Sequence, residues 1–121
     1  MANPAESMTN VMTIEGAIGA ALVDYDSGMT LATAGSGLDL ELAAAGNTEV
    51  VRAKLRVMDS LGLDDAIEDI LITLGKQIHL IRLVTAPNGH GLFIYVALDR
   101  SRSNLAMARR QLQGIETALE I

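Results

Sequence analysis

Residues 92–98, Leu-Phe-Ile-Tyr-Val-Ala-Leu, are apolar on both faces that an extended chain presents: Leu92, Ile94, Val96 and Leu98 on one, Phe93, Tyr95 and Ala97 on the other. A strand with no wet side belongs inside a sheet that is covered above and below. Two apolar runs precede it. One reads IEDILITLG from Ile67, and the next KQIHLIRLV from Lys76. Gly75-Lys76 and Pro87-Asn88-Gly89-His90-Gly91 separate the three. Runs of this length, rich in Ile, Leu and Val and bounded by turn residues, read as strands. Connections so short join only antiparallel neighbours, because a parallel crossover needs a dozen or more residues. Ala66 to Leu98 is therefore a three-stranded meander, and the rest of the chain has to cover it.

The cover can be found in order. Asn3-Pro4-Ala5-Glu6 is a helix start, with a cap, a proline at the first helical position and an acid at the third. Met8, Val11 and Met12 give that short helix one apolar side, and it is expected to end near Gly16. Ala17 to Tyr25 is a second strand apolar on both faces, Asp26-Ser27-Gly28 turns it, and Met29 to Ala34 returns as the other half of a hairpin. After Gly35-Ser36-Gly37 a long helix is predicted from about Leu38 to Leu61, closed by Gly62. Its apolar residues Val50, Val51, Ala53, Leu55, Val57, Met58 and Leu61 span an arc of about 200°, twice what one sheet face needs. Lys54 lies in the middle of that arc, while Glu49, Arg52, Arg56 and Asp59 fill the other side. Asp99 to Ser103 leads into a last helix with the narrow stripe Leu105, Ala108, Leu112, Ile115 and Leu119. Arg109, Arg110, Gln113, Glu116 and Glu120 are expected to face water.

The plan is α-β-β-α-β-β-β-α: an α+β fold with one five-stranded antiparallel sheet and helices on both faces. Strands 17–25 and 92–98 are expected in the middle and Ile67–Leu74 at an edge. Ile70 to Leu74 is too apolar for an edge left open to water. A helix apolar on two sides and an apolar edge strand both ask for a second copy of the chain, so a homodimer is expected.

With 121 residues there is room for a single domain, 1–121. Tyr25, Phe93 and Tyr95 are the only aromatics, so the core is aliphatic. The lack of cysteine excludes disulfides, thiolate metal sites and thiol catalysis. With no signal peptide, and an apolar run Ala17–Val23 too short to span a bilayer, the expected location is the cytoplasm, without membrane insertion. A net charge of −6 argues against nucleic acid as a partner. Arg100, Arg102, Arg109 and Arg110 cluster in sequence, and read as a solvated face with no aromatic platform beside it.

No catalytic or cofactor motif is complete. A phosphate-binding loop ending at Gly75-Lys76 would need Gly at 70 and Ser or Thr at 77, where Ile70 and Gln77 stand. Gly16 and Gly19 are followed by a strand, Ala34-Gly35-Ser36-Gly37 has the wrong spacing for a nucleophile elbow, and Asp24/Asp26 lack the later ligands of a calcium loop. His79 lies within a strand and His90 in a glycine-flanked turn, neither with clustered partners, so His79 reads as structural. The acidic run Asp59, Asp64, Asp65, Glu68 and Asp69 reads as solvated charge, with a docking patch for a basic partner as the alternative. Lys54 reads as snorkelling or pairing across the dimer. No enzyme activity, cofactor or metal is expected.

The segments GAALVDYDSGMTLATAG, EVVRAKLRVM, IEDILITLGKQIHLIRLV and GLFIYVALDRSRSNLAMARRQL, taken with the order of elements, resemble the roadblock family of dynein-light-chain-like proteins, above all its small stand-alone bacterial members. The resemblance runs over about 15–119. It implies a roadblock/profilin-like fold and a dimer in which third strands and long helices pair into a ten-stranded sheet. It further implies a non-catalytic regulator or adaptor of a Ras-like small GTPase, with a GTPase-activating or localising role. On this chain the implied dimer surface is Val50, Ala53, Lys54, Val57, Leu61, Ile70 and Ile72, and the implied GTPase surface is Arg52, Arg56 and Asp59. Two other readings stand beside it: a signalling scaffold without GTPase dependence, and a small-molecule sensor, against which the scarcity of aromatics counts.

Overall fold

Three short polar side chains start the three helices. In a computed structural model, which describes residues 2–85 and 91–121, Asn3, Asp39 and Asn104 each accept a hydrogen bond from the backbone N–H three residues on, at 2.8, 3.1 and 3.0 Å. Each cap is worth about 1 kcal/mol. They open α1 (Pro4–Val11), α2 (Leu40–Ser60) and α3 (Leu105–Ala118). At α1 the Asn3 N–H donates in return to the Glu6 carboxylate and completes a capping box. The helix stops at Val11, short of Gly16, because the Thr13 amide and hydroxyl both donate to the Asn10 carbonyl and close the last turn.

The strands are β1 (Ala17–Asp24), β2 (Met29–Gly35), β3 (Asp69–Thr73), β4 (Gln77–Leu83) and β5 (Leu92–Asp99). All pairings are antiparallel, in the order β2-β1-β5-β4-β3. The doubly apolar strand β5 thus takes the centre, with β1 beside it and β3 at an edge, as its pattern requires. Each face has its own core. On one, α1 and α3 bring Met8, Val11, Ala108 and Leu112 onto Leu22, Leu80, Ile94 and Val96. On the other, α2 brings Ala44 and Val51 onto Ala21, Ile81, Phe93 and Tyr95. Phe93, Ile94, Val96 and Leu98 are fully buried, each contributing roughly 1.5–3 kcal/mol. The chain has the five-stranded, helix-covered α+β architecture that the pattern of elements predicts.

Two contacts fix how the ends of these elements meet. Gly16 has φ +88° and its carbonyl accepts from the Asp99 N–H; a Cβ there would collide with the Ser103 hydroxyl, which itself donates to the Asp99 carbonyl at 2.6 Å. Near the termini Ala2 and Leu119 form a parallel bridge, with Ala2 N–H donating to Ala118 and Glu120 N–H to Ala2.

A side chain of α3 departs from expectation. Glu116 does not face water: it is 2% exposed and bonded to Arg82 of β4, 8% exposed, at 3.2 Å. Its other oxygen accepts from the Thr85 amide and hydroxyl. A buried cation on a strand draws the carboxylate inward, because an unpaired buried charge costs far more than a paired one.

Candidate functional site

The surface best suited to function is α2 with the edge strand β3. Along α2 the side chains sort into three stripes by helical spacing. Ala44, Thr48, Val51, Leu55 and Met58 point to the sheet, Ala44 and Val51 fully buried. Val50, Lys54, Val57 and Leu61 form one flank, where Val50 is 37%, Val57 47% and Leu61 66% exposed. Arg52, Arg56 and Asp59 form the opposite flank, all exposed. The wide apolar arc read from the sequence is thus a buried stripe plus an uncovered apolar flank. Ala53 is half-buried between the exposed sides.

The apolar flank continues onto β3. Val50, Lys54 and Met58 wall a groove of about 600 Å³, with Ile67 and Ile70 on its other side and Asp65, Glu68 and Arg109 at its rim. Ile70 and Ile72 share the α2 face of β3, in register with Ile81 and His79 of β4. Leu71, on the reverse face, is 41% exposed, and β3 has no strand on its outer side among the described residues. The structure therefore brings Val50, Lys54 and Ile70 to one groove, with Val57, Leu61 and Ile72 extending the same surface. Lys54 forms no ion pair among the described residues.

Arg52 is partly committed elsewhere, since its guanidinium donates to the Asp26 carbonyl and ties α2 to the β1–β2 turn. Asp24 and Asp26 serve that turn: the Asp26 N–H donates to the Asp24 carboxylate at 2.8 Å. Among the described residues, no group of three or more histidines and acids is placed to hold a metal ion, and no helix is long and apolar enough to cross a membrane.

His79 is half-buried and uses both ring nitrogens, Nε2 with the Gln77 side-chain oxygen at 2.8 Å and Nδ1 with the Tyr95 hydroxyl at 3.3 Å. The Tyr95 ring stands edge-on to it at 5.4 Å. Burial lowers the pKa of His79 and raises that of Tyr95. These are the contacts of a satisfied structural histidine. His90, the other histidine, lies outside the described residues.

Two arginines that the sequence suggests are merely solvated instead bracket β3. Arg109 of α3 bonds Asp69 at its start, at 2.8 and 3.2 Å, and Arg100 donates to the Leu74 carbonyl past its end, at 3.1 Å. Neither contact has a local sequence signal, because the partners are 40 and 26 residues apart.

No family model matches this sequence, and no curated protein matches it. Solved structures do. A Roadblock/LC7 domain from Streptomyces avermitilis is similar with a TM-score of 0.82 over 97% of this chain and 94% of that one, at 13% identity. Myxococcus xanthus MglB gives a TM-score of 0.74 over 94% and 85%, at 16% identity. The gliding protein MglB from Thermus thermophilus gives 0.68 over 93% and 87%, at 17% identity. At these identities the likeness is one of fold: the chain has the roadblock fold.

Proposed function

We propose that this chain is a roadblock-family protein that works as a non-catalytic cytoplasmic homodimer, regulating or recruiting a Ras-like small GTPase. The observation that carries the proposal is the continuity of the uncovered flank of α2 with the apolar edge β3, in a fold shared with MglB. Two such surfaces related by a two-fold axis bury Val50, Ala53, Lys54, Val57, Leu61, Ile70 and Ile72, and join the sheets into one of ten strands. The opposite flanks of the paired helices, with Arg52, Arg56 and Asp59, then form the surface offered to the GTPase. Arg56 and Asp59 are its freer charges, since Arg52 also holds the β1–β2 turn.

The test is a pull-down from native extract with the purified protein as bait, the extract supplied once with a GTP analogue and once with GDP. Capture of a small GTPase in the GTP-analogue state, and its loss on Arg56→Glu, is the expected result. Capture of other signalling proteins irrespective of nucleotide would overturn the GTPase reading in favour of the scaffold.

A further inference from the structure

The edge strand β3 separates two oppositely charged ends. Before it lie Asp65 and Glu68, both exposed and neither in an ion pair among the described residues. They rim the groove under α2. Past its end lie Lys76 and Arg100, also exposed and also without an ion pair among the described residues. These border a second depression, of about 620 Å³, with Ile18, Gln77 and Asp99. Gln77 and Asp99 stand in register with one another, on the strand face that carries His79 and Ala97 and therefore on the α2 side of the sheet. The Asp99 carboxylate accepts from the Ser101 amide and hydroxyl, at 3.0 and 2.8 Å, and stays charged, so Lys76 and Arg100 leave this end with one positive charge in excess. Arg100 reaches the Leu74 carbonyl, which holds its guanidinium at the very end of β3.

A two-fold pairing of β3 with itself runs the strands antiparallel. Centred on Leu71, it sets Ile70 opposite the partner's Ile72, Leu74 opposite the partner's Glu68, and Lys76 opposite the partner's Ala66, next to the partner's Asp65. The acidic end of each β3, at Asp65 and Glu68, then lies beside the basic end of the other, at Lys76 and Arg100, twice over. We infer that this reciprocal charge match, Lys76 and Arg100 of one protomer against the partner's Asp65 and Glu68, selects a second copy of this same chain as the dimer partner. The inference rests on the two-fold β3 interface proposed above. It goes beyond it by naming what makes the pairing self-specific: apolar edges attract any apolar edge, whereas opposite charges at opposite ends admit only an antiparallel mate with the same arrangement.

Sedimentation equilibrium of the full chain tests this. Two variants reverse one end each: Lys76→Glu with Arg100→Glu, and Asp65→Lys with Glu68→Lys. Each alone is expected to self-associate about tenfold more weakly, because it sets like charges together at both ends of the interface. An equimolar mixture of the two restores complementarity at both ends and is expected to form heterodimers with wild-type affinity. Wild-type association is expected to weaken as salt rises from about 50 to about 500 mM. Thermal melts followed by circular dichroism check that each variant is folded. A wild-type dimer whose reversed variants associate equally well, with no preference for the mixture, would overturn the charge match and leave the β3 interface standing. A wild-type chain that stays monomeric would overturn the interface itself, and the charge match with it.

Discussion

Glu116 is held by one cation and two donors from β4 and the residues just past it, so its removal leaves Arg82 charged and buried. Glu116→Ala is expected to cost roughly 3–5 kcal/mol, read as a fall in the urea midpoint. Arg82→Met with Glu116→Leu should recover most of that loss, since replacing both charges by apolar groups is often neutral. Equal destabilisation in the single and double variants would show that the ion pair is not what matters at this position. His79 carries a pH dependence of opposite origin. Burial lowers its pKa in the folded state, so the unfolded chain binds the proton more readily. The contribution of neutral His79 is therefore complete above its ordinary value of 6.5 and is lost as pH falls below it. The urea midpoint should drop between about pH 7 and pH 5, and His79→Gln should flatten that slope; an unchanged slope would assign it to other groups. Neither residue could be fully read from the sequence. Glu116 has the spacing of a solvated helix position, and an arginine in an apolar strand does not say which acid, 34 residues on, will meet it.

Elements were far more legible, because each carries its cause locally. The cap at Asn3, the turn at Asp26-Ser27-Gly28 and the two-faced apolarity of β1 and β5 are short-range signals that the elements follow closely, whereas the caps at Asp39 and Asn104 start α2 and α3 later than the expected Leu38 and Asp99–Ser103. The ends of elements are less so. β3 begins at Asp69, two residues after the apolar run starts, although Leu83 still donates to the Glu68 carbonyl at 3.3 Å. The two-sided character of α2 was written in its wide apolar arc, and the structure divides that arc into a buried stripe and a bare flank. If that flank and β3 form the interface, Ile70→Lys or Val57→Asp should give monomer or aggregate in light scattering. A well-folded, undiminished dimer from either variant would sink the proposed interface.

For the whole molecule, the layers followed from two doubly buried strands and three amphipathic helices, but how the layers are tied together did not. Arg109 to Asp69, Arg100 to Leu74, Glu116 to Arg82 and Ser103 to Glu15 join residues far apart in sequence, and each could be seen only once the strands were in order. The bridge between Ala2 and Leu119 belongs with them. It gathers both ends of the described chain on the face covered by α1 and α3, where Leu119 packs in the same core as Met8. The α2 face lies on the far side of the sheet. Whatever is attached at either end, whether an affinity handle, a fluorophore or a solid support, is thus carried behind the molecule, and an immobilised layer presents α2 outward to whatever flows past.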